Sequence, residues 1–299
     1  MDRVLVVDKP GGITSHDVVV RLRRSTRVRR MGHAGTLDPS ATGVLIVLVG
    51  SATRLMQFIV EDDKEYSGSI VLGKATDTHD AEGEITSERP LRRIDEDEIR
   101  NVLRQFIGVQ SQIPPMTSAV KRGGRPLYEL ARKGIVVERE PRVIEVHRFE
   151  LIGYRPPEVG FELSCSKGTY VRKLAHDVGE RLGTGAHLGA LRRTRVGRFT
   201  LVCAIELERL EALGPEIGDA GLSMFEALSG WPSVRLDDEE ADRIAFGGAV
   251  VLPAERLAPR AGQHVRLTRD GKSLLAVGKL RSLGPHSLEA RPVKVFETV

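Results

Sequence analysis

The chain has 299 residues, 40% hydrophobic, 29% charged and 4% aromatic, with a net charge of +4. That length allows about two domains, each with its own core, and the composition excludes disordered and fibrous classes. Two cysteines, Cys165 and Cys203, exclude a multi-disulfide scaffold, and no C-x-x-C or Cys/His cluster offers a zinc site. With no signal-peptide pattern and no apolar run long enough for a bilayer, the expectation is a soluble, cytoplasmic protein with no membrane partner.

Arg3–Val7 reads as a short strand, followed by a Gly11-Gly12 turn and a helix from about Ser15 to Arg24. Thr14 is its expected N-cap, with Asp17 in the first turn. Residues 32–43 (GHAGTLDPSATG) read as a loop, 44–49 as a buried strand, and 52–60 as a helix. Lys64–Leu72 alternates like a strand. The stretch 73–93 is acidic and turn-rich, so it is expected to be exposed. Asp95 and Glu98 look like a capping box opening a helix to about Ile107. A short helix is expected over Pro126–Lys133, stopped by Gly134. Strands follow at 142–153 and 158–166, then a helix from about Tyr170 to Leu182 with Gly183 beyond it. After about residue 230 short apolar runs alternate with turns, and 264–280 reads as a hairpin around Asp270-Gly271. The composite is α+β followed by mostly β, divided as 1–229 and 230–299.

Charge is segregated along the chain. Residues 1–60 carry a net +5, with six arginines between Arg21 and Arg30; residues 167–198 carry +6; residues 61–99 carry −8. Such segregation gives one face the potential that attracts a polyanion, and nucleic acid leads the partner classes. Two apparent motifs fail on context. Gly68-x4-Gly73-Lys74 has Ala75 where a P-loop needs Ser or Thr, within a strand-like run. The neighbours Ser15-His16 and His176-Asp177 read as chance placements. In GHAGTLDPSATG one carboxylate, Asp38, stands among small residues before Pro39. It is either a turn former or a carboxylate presented to substrate, which would need a cation such as Arg172 beside it.

Lys9-Pro10-Gly11-Gly12 with Thr14-Ser15, GHAGTLDPSATGVL, Lys64-Glu65-Tyr66, PPMTSAVKRGGRPLYELARKG, SKGTYVR and GAHLGALRR, in that order, resemble the successive motifs of TruB-type tRNA pseudouridine synthases. The last 70 or so residues resemble a PUA domain. Thr117 departs from the resemblance, standing where related sequences usually have Tyr, outside the expected catalytic set.

The resemblance implies a mixed, mainly antiparallel sheet flanked by helices, and conversion of uridine 55 in the tRNA T-arm loop to pseudouridine without any cofactor. It implies Asp38 as the catalytic carboxylate, Tyr66 stacked on the base and placed to take the C5 proton, and Arg172 paired with Asp38, lowering its pKa. His33 would fill the space left by the flipped base. Lys9 would support the catalytic loop or a phosphate, Leu191 and Tyr170 would wall the pocket, and Arg27, Arg29, Arg30 and the 192–198 segment would meet phosphates. The PUA-like tail would contact the acceptor end, in a monomer needing no protein partner. Two other readings are the catalytic subunit of an RNA-guided pseudouridylation complex, whose members typically carry terminal extensions, and a non-catalytic RNA-binding protein.

Overall fold

The computed structural model describes residues 1–296 except 119, 132–133, 136 and 257–261. A ten-stranded sheet runs through the first three-quarters of the chain. Its main path is Ile205–Glu206, Arg3–Lys9, Thr42–Val49, Ala186–Val196, Lys64–Leu72, Glu158–Cys165, Arg142–Arg155 and Gly108–Gln112. Met31–Ala34 and Phe199–Thr200 add to its flanks. Two contacts on the path are parallel, Arg3–Lys9 with Ile205–Glu206 and Thr42–Val49 with Ala186–Val196; the other pairings are antiparallel. The sheet is mixed and mainly antiparallel, as the resemblance implied.

Alternation within apolar strands explains why both faces are covered. Leu5 and Val7 join one core with the helices Ser15–Thr26, Glu96–Arg104 and Val171–Leu182. Val4, Val6, Val44, Ile46 and Leu48 join a second core with Phe58, Phe199, Leu274 and Val277. The C-terminal five-stranded sheet has the order Ser233–Arg235, His264–Thr268, Ala276–Gly284, Ser287–Val295 and Val250–Pro253. It carries a third core with the helix Asp238–Ala245.

Local signals account for most boundaries. Thr14 and Asp17 form a reciprocal capping box on the first helix, which runs on to Thr26. Gly183, at φ +75°, closes the helix Val171–Leu182. Asp95 caps Glu96–Arg104, but the Glu98 carboxylate pairs with Arg92 instead of completing a box.

Five expectations need correction. Residues 31–34 are strand, because their backbone pairs with Val49 to Ile46, so the 32–43 loop is shorter than expected. The 73–93 stretch folds back as a hairpin of Lys74–Thr76 with Ile85–Glu88, burying Ala75, Thr76 and Asp80. Residues 50–59 are mostly 3-10 turn, with helix only at Met56–Ile59. The hairpin near Asp270-Gly271 is real but wide, with Leu267 pairing Ala276 across an intervening loop. The helix expected over 126–133 spans Leu127–Ala131, and 132–133 lie outside the described residues. The false P-loop is strand: Gly68 lies where a Cβ would stand 2.4 Å from the Ala190 carbonyl oxygen.

Candidate active site

Asp38 lies on the loop joining Met31–Ala34 to Thr42–Val49, and that loop is held almost carbonyl by carbonyl. The Arg193 guanidinium donates to Gly35 O at 3.0 Å and Thr36 O at 3.4 Å. Ser15 Oγ donates to Leu37 O at 3.1 Å and accepts from Leu37 N at 2.8 Å. Asp38 O accepts from Ala41 N. Lys9 Nζ donates to Pro39 O at 3.0 Å, Ala41 O at 2.8 Å and Pro10 O at 2.8 Å, and Gly12 N adds a second bond to Pro39 O. A loop of small residues is flexible by composition, so this external bonding is what fixes the carboxylate.

Arg193 and Lys9 are fully buried. Arg193 pairs in register with Gly43 on one neighbouring strand and Tyr66 on the other. A Cβ on Gly43, whose φ is +99°, would stand 2.2 Å from the Arg193 carbonyl oxygen, so only glycine admits this approach. All three hydrogens of the Lys9 ammonium go to protein carbonyls. Of the two roles expected for Lys9, these bonds are those of a brace for the catalytic loop. Burial lowers its pKa from 10.5 to about 8.

Helix Val171–Leu182 presents Arg172 to the same point. Its Nη2 lies 3.2 Å from Asp38 Oδ1 and its Nη1 lies 3.4 Å from Asp80 Oδ2. Thr117 contributes both its hydroxyl, 3.1 Å from Nη1, and its carbonyl, 3.0 Å from Nη2. One guanidinium therefore joins two carboxylates and a backbone carbonyl. Asp80 is buried and also accepts from Thr78 Oγ1 at 2.5 Å and Glu82 N at 3.1 Å.

The Asp38 side chain keeps 36% of its surface exposed, enough for a ligand to reach it. Desolvation nevertheless outweighs Arg172 and holds its carboxyl above the ordinary carboxylate range, with Asp80 pushing the same way. This reverses the expected lowering. A lone Asp–Arg pair would depress the pKa, but here the arginine is shared.

Tyr66, on Lys64–Leu72, is 9% exposed and packs in the first core. Burial pushes its phenol up to about 12, so in the unliganded site it is a protonated hydroxyl. His33 is half-buried, its imidazole held below its ordinary pKa by burial and by Arg193, and its Nδ1 has no partner. Tyr170 precedes the helix; its backbone N–H and C=O are clamped by the Gln112 amide at 2.8 and 3.1 Å, and its ring lies 5.8 Å from the Arg172 guanidinium carbon. Leu191 packs half-buried against the first core.

Of the arginine run, Arg27, Arg29 and Arg30 are exposed, Arg30 donating to Thr53 Oγ1 at 3.1 Å. Arg21 pairs with Glu208 and Glu211, and Arg23 donates to Met31 O. In the 192–198 segment the arginines have partners within the protein. Arg192 pairs with Asp8 at 2.6 Å, Arg193 is buried, Arg195 pairs with Glu65 at 2.7 Å and Arg198 donates to Glu226 O. Arg193 is thus enclosed, while Arg192 and Arg195, though ion-paired, keep 39% and 34% of their side chains exposed.

Sequence reading missed Asp80, Ser15, Arg193 and Gln112 as site-building residues and placed Thr117 outside the site. Asp80 was masked by its acidic neighbours, and Ser15 by looking like an ordinary residue of a helix start. Among the described residues no His, Cys, Asp or Glu cluster could hold a metal, and no helix is long and apolar enough to cross a membrane.

Residues 23–171 match the TruB family pseudouridylate synthase N-terminal domain, and residues 172–216 the tRNA pseudouridylate synthase B C-terminal domain. This chain belongs to the TruB family of pseudouridine synthases. It is 54% identical over 228 residues to the tRNA pseudouridine synthase B of Opitutus terrae, covering 76% of this chain and 95% of that one. It is 47% identical over 277 residues to the protein of the same name from Syntrophotalea carbinolica, covering 92% and 90%. Solved structures are similar over nearly the whole chain. A chain of a Cbf5-Nop10-Gar1 complex gives a TM-score of 0.77 at 28% identity, and one of an H/ACA RNP bound to a substrate RNA containing 2'-deoxyuridine gives 0.75 at 26%. Each alignment covers 99% of this chain and 85% of the other.

Proposed function

We propose that this TruB-family enzyme isomerises a uridine of tRNA, position 55 in the T-arm loop, to pseudouridine. The N1–C1′ bond breaks, the base turns, and C5 joins C1′; C5 loses a proton and N1 gains one, so no co-reactant is consumed. The single observation that carries this reading is the loop-borne Asp38 held 3.2 Å from Arg172 at the mouth of the site.

Asp38 forms the covalent adduct in this reading, and Arg172 keeps it ionised when RNA closes the site. Tyr66 stacks on the base. With its phenol at about 12, it takes the C5 proton only if the bound intermediate lowers that value. Leu191 and the Tyr170 ring wall the pocket, and neutral His33 occupies the space vacated by the flipped nucleotide. Arg27, Arg29 and Arg30 meet phosphates of the T-arm, and the C-terminal sheet contacts the acceptor end. We further propose that the protein acts as a monomer without a protein partner. The 42–54% identity to proteins named tRNA pseudouridine synthase B favours this over an RNA-guided subunit, for which the likeness is 26–28%.

Pseudouridine mapping on unmodified tRNA, with the isolated wild-type protein and with Asp38→Asn, tests the reading. Wild type should modify one T-arm uridine and Asp38→Asn none, while binding tRNA as before. Modification by both would remove Asp38 from the chemistry, and by neither would remove the enzyme reading.

A further inference from the structure

We propose that the stacked imidazoles of His79 and His176 form a positioning element that fixes how Arg172 is divided between Asp38 and Asp80. The two rings lie 4.2 Å apart with an interplanar angle of 19°. His176 is four residues after Arg172 on Val171–Leu182, one turn along the same face. His79 immediately precedes Asp80. The stack therefore ties the helix carrying the guanidinium to the loop carrying its second carboxylate. This rests on the proposed function only for the reaction it serves.

The backbone is built around this contact. His79 sits at φ +64°, and Arg27 is the one other non-glycine described at positive φ. A histidine there is strained and persists only where its surroundings fix it. Those surroundings are on both sides: His79 O accepts from Leu188 N at 2.9 Å, and Thr76 Oγ1 donates to Asp80 O at 2.7 Å. Asp80 also bridges Leu188. Hydrogen bonding does not account for the rings, since the Nδ1 atoms of both are buried without a partner. The stacking contact is the interaction that joins the two rings directly.

The stack is one of neutral rings. Burial, then His176, Lys173, Arg172 and Arg139, lowers His79 to about 3. His176 is lowered by burial and Lys173, with Asp177 and Glu180 opposing and Arg89 adding to the decrease. Asp38 itself faces Arg172, Asp80, Lys9 and Arg193. If the stack is lost, the loop carrying Asp80 and the helix can separate, Arg172 is no longer shared, Asp80 no longer pushes on Asp38, and the Asp38 carboxyl moves down toward the range of a simple Asp–Arg pair.

The test uses the full chain with unmodified tRNA, comparing wild type, His176→Ala, His79→Asn and His176→Phe. Asn tolerates the positive φ without the ring, and Phe keeps a stacking ring that cannot titrate. Single-turnover rates are followed against pH, with tRNA affinity and melting temperature measured alongside. His176→Ala and His79→Asn should slow the reaction about 10-fold at unchanged tRNA affinity, because a carboxylate engaged by an unshared guanidinium is a weaker nucleophile, and move the acid limb of the profile to lower pH. His176→Phe should restore both. An acid limb that stays in place in the folded Ala and Asn variants overturns the proposal, even if the rate falls, because packing alone would do that. The Asp38 carboxyl titration, followed by carbon NMR without RNA, reads the same shift independently of catalysis. An inactive wild type would sink the proposed function, while a midpoint lowered in His176→Ala would still support the positioning role.

Discussion

Replacing Lys9 by Met keeps the length of the side chain and removes the ammonium that braces the Asp38 loop. Three bonds at 2.8, 3.0 and 2.8 Å disappear, to the carbonyls of Pro10, Pro39 and Ala41. Each bond from a charged donor contributes about 1.5–3 kcal/mol. Burial of the ammonium opposes them: lowering its pKa from 10.5 to about 8 corresponds to ~3 kcal/mol. The net cost of Lys9→Met near pH 7 is then about 1.5–6 kcal/mol, against the ~5–15 kcal/mol of an ordinary fold. The pH dependence has a definite sign. Between pH 8 and 10.5 the unfolded chain keeps the Lys9 proton and the folded protein does not, so this lysine makes the protein more stable as pH rises. Lys64, also lowered to about 8, acts in the same window, while Cys165 and Tyr66, both raised to about 12, act oppositely above about pH 9. The difference between wild type and Lys9→Met cancels those other groups. Urea unfolding of both proteins at pH 7 and pH 10 should show a gap that widens by ~3 kcal/mol. A gap of zero at pH 7 that stays flat to pH 10 would rule out a bracing role for this ammonium. The rate of pseudouridine formation should fall with Lys9→Met, since two of the lost carbonyl contacts lie just after Asp38 in the loop.

Thr117→Val removes the hydroxyl that receives Arg172 Nη1 but leaves the Thr117 carbonyl contact, so the single-turnover rate should drop about 5–10-fold, near 1 kcal/mol, at unchanged tRNA affinity. An unaltered rate would mean that Asp80 and the backbone hold Arg172 without it. Replacing Arg27, Arg29 and Arg30 together by Ala should lower the slope of log affinity against log salt by about 2–3 in tRNA binding. A slope that does not change would move the phosphate contacts elsewhere on the surface.

The parts of this molecule legible in its sequence are those set by local rules. Thr14 with Asp17, the alternation of Lys64–Leu72 and Gly183 after Leu182 each fix a boundary through neighbours a few residues away. What stayed hidden depends on distant partners. The strand Ala186–Val196 is crowded with arginine, and only the placement of Asp8, Glu65 and the carbonyls of Gly35 and Thr36 shows why those charges are tolerated inside a sheet. Asp80 looked like one acid among many until Arg172 arrived from a helix far along the chain. Asp38 and Arg172 were identifiable through motif resemblance, but the direction of the Asp38 pKa was not, because it depends on a second carboxylate and on burial. Charge density along a sequence is therefore a poor guide to which arginines lie free at the surface: Arg27, Arg29 and Arg30 are exposed, Arg193 is buried, and Arg192 and Arg195 are half-buried in ion pairs.

The same distinction governs what a truncation can reveal about the C-terminal sheet. Residues beyond 230 look separable by texture, and deleting them would be the obvious way to ask whether they bind RNA. Yet Leu274 and Val277 are fully or almost fully buried in one core with Val4, Val6, Val44, Ile46 and Leu48 of the central strands, and Trp231 and Phe296 pack against it. Phe58 meets the Trp231 ring edge-on at 5.5 Å, and Arg54 lies 5.1 Å from the Phe296 ring centroid. Arg266 donates to the carbonyls of Trp231 and Phe225, stitching the connecting segment to the second sheet. Removing 230–299 uncovers an apolar face of the main sheet, which at about 25 cal/mol per Å² is a stability loss before it is a binding loss. The truncated chain should unfold at lower urea and aggregate, and any fall in tRNA affinity would follow from that. Charge-removing substitutions at exposed residues of the second sheet, such as Arg281→Ala with Arg291→Ala, leave the shared core intact and separate the two effects. Full stability in the truncated protein would show that the two sheets do not depend on their common core.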